Sequence, residues 1–96
     1  MIDFKASNLD QLQIELGERE HEVAIAIVNG ICLALDKDMD AVEIGQLASG
    51  EIAISADRPD FLKALRFNLK RCQDSEEFEL CARAVYWMEK LSYDTA

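Results

Sequence analysis

His21 is the only histidine in the chain, and Glu18 stands three residues before it. On one continuous helix that Glu-x-x-His spacing supplies half of a carboxylate-bridged di-metal site, whose other half needs a second such motif and two more carboxylates. One chain cannot provide that half, although a two-fold pair of chains could. The run HEVAI also lacks the second histidine of an HExxH zinc site. Set among carboxylates near a helix start, His21 reads as a surface residue, and neither a metal nor a cofactor is expected. Cys32, Cys72 and Cys81 form no CxxC and no metal-ligand spacing. Each falls at an apolar helix position, where a free thiol behaves as a small hydrophobe, and three unpaired thiols point to a reducing cytoplasm. No serine sits in a nucleophile elbow, and no glycine-rich run could cradle phosphate. The chain is therefore read as a protein without catalytic activity.

The residues that do form a pattern are cationic. Lys63, Arg66 and Lys70 lie within roughly 60° of one another on a helical wheel, with Phe67 beside them. Phe61, Leu62, Leu65, Leu69 and Cys72 occupy the opposite arc. A basic stripe flanking an exposed aromatic is a candidate partner-binding surface, because arginine and aromatic side chains dominate interface energetics. It stands out against the whole chain, which carries 19 acids and 10 bases for a net charge of −9. That balance repels phosphate backbones at long range, so another protein, and not nucleic acid, is the expected partner. Charge is also unevenly divided: residues 1–50 hold ten acids and three bases, residues 51–96 nine acids and seven bases.

These groups must be positioned by one small domain, residues 1–96, since half the residues are apolar and nothing repeats. Eleven of the thirteen residues in 23–35 are apolar, and Asn29 and Gly30 are the exceptions. Such a helix is greasy on nearly its whole circumference and belongs at the centre of a fold. It is too short to span a bilayer, which takes about 20 apolar residues. No signal peptide is expected, because the opening residues 1–4 lead into polar sequence and not into an apolar run. Ser7 or Asn8 caps a first short helix carrying Leu9, Leu12 and Leu16, which Gly17 ends or bends. Val42, Ile44 and Leu47 are assigned to a third helix at 40–48, stopped by Ser49 and Gly50. Residues 51–55 alternate and read as either a short extended segment or a tight helical turn. Asp57 and Pro59 open a fourth helix running to about residue 72. Asp74 and Glu77 have the spacing of an acidic capping box for a fifth, running to about residue 91, and the tail 92–96 is expected to fray. On that last helix Leu80, Ala84, Trp87 and Leu91 form a second apolar stripe beside Phe78, Cys81, Ala82, Val85 and Met88. The surplus apolar surface predicts a two-fold homodimer with Leu80, Ala84, Trp87 and Leu91 in the seam.

Residues 32–65 resemble the helix-turn-helix of phage-repressor-like DNA-binding domains. Leu33 and Ala34 sit where that family has Leu-Ala, and Asp38, Met39 and Asp40 where it has Gly-Val-Ser. Leu47, Ala48, Ser49 and Gly50 are similar to the Leu-Leu-Asn-Gly that closes the recognition helix. The residues at 54–57, followed by Ala64 and Leu65, resemble its next turn and helix. The chain departs from the pattern where Asp38 replaces the turn glycine. It departs again in the recognition helix, where Asp40, Glu43 and Gln46 offer no cation to read a base or grip a phosphate. The resulting expectation is an all-α compact bundle of four to five helices around a central apolar helix at about 19–37. It is read as a small acidic interaction protein, an adaptor, inhibitor or immunity-type module. The alternative is a degenerate helix-turn-helix regulator that would use the basic helix at 59–72.

Overall fold

The apolar run at the centre of the sequence forms the helix expected of it. In the computed structural model, which describes residues 1–94, the elements are β1 (Ile2–Asp3), α1 (Leu9–Glu18), α2 (Glu20–Asp36), β2 (Ala41–Gln46), β3 (Ile52–Asp57), α3 (Arg58–Asp74) and α4 (Phe78–Asp94). Val28, Ile31 and Cys32 of α2 have no accessible surface. They share one core with Phe61, Leu65 and Cys72 of α3 and with Leu80, Ala84 and Leu91 of α4. Val23, one turn earlier, belongs to a second core with Phe4, Ala6, Leu12 and Leu47, and Ile27 packs against both.

The fold is α+β, which overturns the all-α bundle. Residues 40–48 do not form a helix; Ala41–Gln46 is a strand, and with it the helix-turn-helix resemblance fails, because its recognition helix does not exist. The physical reason lies in the spacing. Val42 and Ile44 are two apart, not three or four, and exposed Glu43 separates them. That is the period of a strand with one buried face. Residues 52–57 are extended, and their partner is this same strand. The sheet order is β1-β2-β3, with β1 parallel and β3 antiparallel to β2. Gly50, at φ +91°, makes the turn between β2 and β3, where glycine alone adopts the conformation without strain.

Close approach sets two further glycines. A Cβ on Gly30 of α2 would lie 3.3 Å from Ile44 Cγ1 and 3.7 Å from Val42 Cγ2, so the helix backbone rests on the inner face of β2. A Cβ on Gly45 would lie 2.6 Å from Phe4 Cε2 and 2.9 Å from Ile2 Cγ2. The pairing of β2 with β3 shifts register on both sides of Gly45, and the missing side chain of Gly45 leaves room for the buried Phe4 ring.

Arg19 holds the N-terminal segment to the helices. Glu15 accepts the Lys5 N–H at 3.1 Å and the Ala6 N–H at 2.8 Å. Arg19 donates to Glu15 at 2.6 Å and to the Asp3 carbonyl at 3.1 Å. It also forks onto both oxygens of Glu22 at 2.8 and 2.6 Å, and its guanidinium lies 5.5 Å from the Phe4 ring centre. Burial pushes the Glu15 carboxyl up, but the Lys5 N–H, Arg19 and the Ala6 N–H together hold it below its ordinary value.

Helix boundaries are partly as read. The Asn8 side chain caps α1 by accepting the Gln11 N–H at 2.9 Å, and α1 runs through Gly17 to Glu18. The acidic box at 74–77 does not open the last helix. Instead α3 continues through Asp74 and closes with Glu76 N–H to Gln73 C=O at 3.0 Å and Glu77 N–H to Cys72 C=O at 3.1 Å. The end of α2 repeats that pattern, with Asp38 N–H to Leu35 C=O at 3.1 Å and Met39 N–H to Ala34 C=O at 2.8 Å. Both are Schellman terminations, and the left-handed positions that glycine usually fills are taken by Asp38 and Glu76 at φ 53° and 59°. The last helix continues through residue 94, so residues 92–94 of the expected frayed tail are helical; residues 95–96 lie outside the described residues.

Two measurements check these contacts. Gly45→Ala drives a methyl into the Phe4 ring and is expected to cost about 1–3 kcal/mol by overpacking, lowering the urea midpoint at unchanged slope. Glu15 has a depressed folded-state pKa, so its contribution is complete above its ordinary value of 4.5 and is lost as pH falls through the lower folded-state value. Glu15→Gln is therefore expected to lower the urea midpoint at neutral pH. The gap between variant and wild type should narrow as the solution is acidified.

Candidate functional site

Asp57 and Pro59 start α3 as the sequence predicts, with Asp57 extended as the N-cap and proline in the first turn. Phe61, Leu65, Asn68 and Cys72 then face inward. That choice of face turns Lys63, Arg66, Phe67 and Lys70 outward, and all four are exposed. Phe67 is 71% exposed, with the Arg71 guanidinium 5.3 Å from its ring centre.

The ion pairs distinguish these cations from the rest. Four of the five arginines are held by carboxylates. Arg19 pairs with Glu15 and Glu22, Arg58 with Asp38 and Asp40 at 2.9 and 2.8 Å, Arg71 with Glu20 at 2.5 Å, and Arg83 with Asp36 at 2.7 Å. Arg66 is the exception, donating only a long hydrogen bond, 3.4 Å, to the Ser92 hydroxyl. Among the described residues neither Lys63 nor Arg66 has a carboxylate within 4.0 Å. Lys70 meets Asp74 only at 4.0 Å, and its side chain is 85% exposed.

Beside this stripe, between α3 and α4, lies an open groove of about 700 Å³ lined by Arg66, Val85, Met88, Glu89, Ser92 and Tyr93. The residues read as a dimer seam are not on this outer surface. Leu80, Ala84 and Leu91 are buried in the chain's own core. Trp87 is half-buried against that core, and its indole N–H donates to Asp36 at 3.0 Å. The sequence shows two apolar stripes on α4 but not which one the core takes up. The structure draws from both, and leaves Phe78, Val85, Tyr86 and Tyr93 in solvent.

The other chemical candidates are accounted for structurally. Glu18 ends α1 and His21 lies in α2, so the helix break at Arg19 separates them, and their spacing is not that of one helix face. Among the described residues no group of three or more His, Cys, Asp or Glu could hold a metal ion. All three cysteines are free and buried. Burial pushes the thiols of Cys32 and Cys72 up to about 11, and that of Cys81 also rises, which keeps them protonated and poorly nucleophilic at neutral pH. No helix among the described residues is long and apolar enough to cross a membrane. A second groove, about 530 Å³, runs between α2 and β2, with exposed Met1, Leu33 and Met39 at its rim. Sequence reasoning missed it, because it exists only if residues 41–46 form a strand.

Comparison of the chain with protein-family models, with curated proteins and with solved structures finds no match.

The contrast between the inner and outer faces of α3 is measurable. Phe61 is fully buried, and Phe61→Ala is expected to cost about 3–5 kcal/mol. Phe67→Ala is expected to stay within about 0.5 kcal/mol of wild type, as for other surface positions. Urea denaturation of the two variants separates a packing aromatic from one available to a partner.

Proposed function

We propose that this protein is a small, acidic, non-enzymatic interaction module, an adaptor, inhibitor or immunity-type protein, that grips another protein through the outer face of α3. The observation that carries this reading is the distribution of cations. In a chain where acids outnumber bases nearly two to one, carboxylates neutralise four arginines within the fold, while among the described residues Lys63 and Arg66 are left without one and Lys70 meets Asp74 only at 4.0 Å. Phe67 stands beside them, exposed and not needed for packing. Charged groups at such a surface steer encounter and select the partner, and an aromatic–arginine pair is the usual source of its binding energy. Three buried, unpaired thiols suit a reducing cytoplasm. Two-fold pairing through Leu80, Ala84, Trp87 and Leu91 is not carried into this reading, because those side chains pack within the chain.

The test is a pull-down from native lysate on the tagged protein, run with and without nuclease and repeated with Lys63→Glu/Arg66→Glu/Lys70→Glu. The expected result is a discrete protein that survives nuclease and is lost from the charge-reversed bait. Retention that disappears with nuclease would overturn the reading in favour of a nucleic-acid contact. Such a contact through three phosphates would give a log–log salt slope near −3.

A further inference from the structure

The surface beside the cationic stripe defines what kind of partner segment fits there. On α4, Phe78, Ala82, Val85, Glu89 and Tyr93 recur at i, i+4, i+7, i+11 and i+15, which places them within about 80° of one another on the wheel. Phe78, Val85 and Tyr93 are exposed by 67%, 40% and 84%. The result is an apolar ridge, interrupted by one carboxylate, along the outside of a 17-residue helix. Val85, Glu89 and Tyr93 of this ridge line the groove toward α3, and Arg66 lines it from the α3 side, with Lys63 and Lys70 exposed on the same stripe of α3. A channel bounded by two helices accepts a third helix by ridge-into-groove packing, and anchors at heptad-like spacing are the mark of helix-in-groove recognition.

We propose that the α3–α4 groove binds an amphipathic α-helix of a partner protein whose apolar face covers Val85 and Tyr93 and whose edge toward α3 is acidic. Charge complementarity selects this occupant. The bank formed by α3 is cationic, and among the described residues Lys63 and Arg66 have no carboxylate within 4.0 Å, whereas the acid-rich remainder of the surface would repel a segment of that sign. A helix that was apolar alone, or basic, would leave Arg66 and Lys63 facing no carboxylate. The proposal rests on the reading of α3 as a protein-binding face and adds the conformation and chemistry of the segment bound.

The probe is a labelled 17-residue designed peptide, matching α4 in length, with leucines at heptad a and d positions and glutamates elsewhere. A twin carries lysine in place of every glutamate. Fluorescence anisotropy should show the acidic peptide binding at least about tenfold more tightly than its twin, a gap of about 1.4 kcal/mol. That is opposite to the order a net charge of −9 alone dictates. Lys63→Glu/Arg66→Glu should lower affinity for the acidic peptide by about tenfold or more. Val85→Asp and Tyr93→Asp, both at exposed positions and checked for folding by circular dichroism, should abolish binding, while Lys5→Glu should leave it unchanged. Tighter binding of the lysine twin, or indifference to Val85→Asp, overturns the proposal. So does a dimer, seen by sedimentation, that Val85→Asp dissociates and the peptide displaces, since the occupant would then be a second copy of the chain. If the lysate partner is lost on charge reversal of α3 but kept by Val85→Asp, the protein-binding reading stands and only the groove fails.

Discussion

A helix that is apolar on nearly every side cannot be left facing water anywhere for long, and the rest of this structure follows from covering α2. A small chain has few elements to do it with. The sheet takes one side, α3 and α4 take another, and the N-terminal segment with α1 closes the end around Val23. The exposed strip left over on α2 carries Glu22, Asn29, Leu33 and Asp36, three of them polar. Gly30 shows how close the cover lies, since even a methyl there would sit 3.3 Å from Ile44 and 3.7 Å from Val42.

Once α2 is covered, polar groups near its two ends set the orientation of everything around it. At the first end Arg19 joins Glu15, Glu22 and the Asp3 carbonyl. At the other, Asp36 receives Arg83 and the Trp87 indole from α4. These pairs are partly solvated, so each contributes modestly to stability; their role is to fix which way neighbouring elements lie. Four arginines are used in such roles. The fifth, Arg66, has no carboxylate within 4.0 Å among the described residues and reaches only the Ser92 hydroxyl, which is the contrast on which the proposal for the α3 face rests.

All four helices were legible because their signals are local. Residues 23–35 are apolar but for Asn29 and Gly30. Asn8 and Asp57 stand at the N-cap positions, Asn8 with a side-chain hydrogen bond and Asp57 without one, and the apolar arc of α3 recurs at helical spacing. The sheet was not legible in the same way. Each of its strands is short, and β1 is only two residues long, so its existence depends on pairing with a strand far along the chain. The alternation of Val42, Glu43 and Ile44 was in plain view, but with Leu47 and the stop at Ser49 and Gly50 those residues also fit a short helix. Helix ends were blurred for a different reason: Asp38 and Glu76 occupy left-handed positions where a glycine would have announced the stop. At the candidate site, the wheel alone places Lys63, Arg66, Phe67 and Lys70 together. The groove next to them required knowing that Leu80, Ala84 and Leu91 turn inward.

The parallel pairing of β1 with β2 has a consequence for what holds the sheet together. Ile2 meets Gly45 and Asp3 meets Gln46, each across 43 positions of sequence, whereas β2 and β3 are joined by the five residues 47–51. Closing the long loop costs more chain entropy than closing the hairpin. The two-residue strand β1 offers little ladder to offset that cost, so the burial of Phe4 beside Gly45 must hold the N-terminal segment in place. Strand β1 is thus secured by a side chain next to it more than by its own hydrogen bonds.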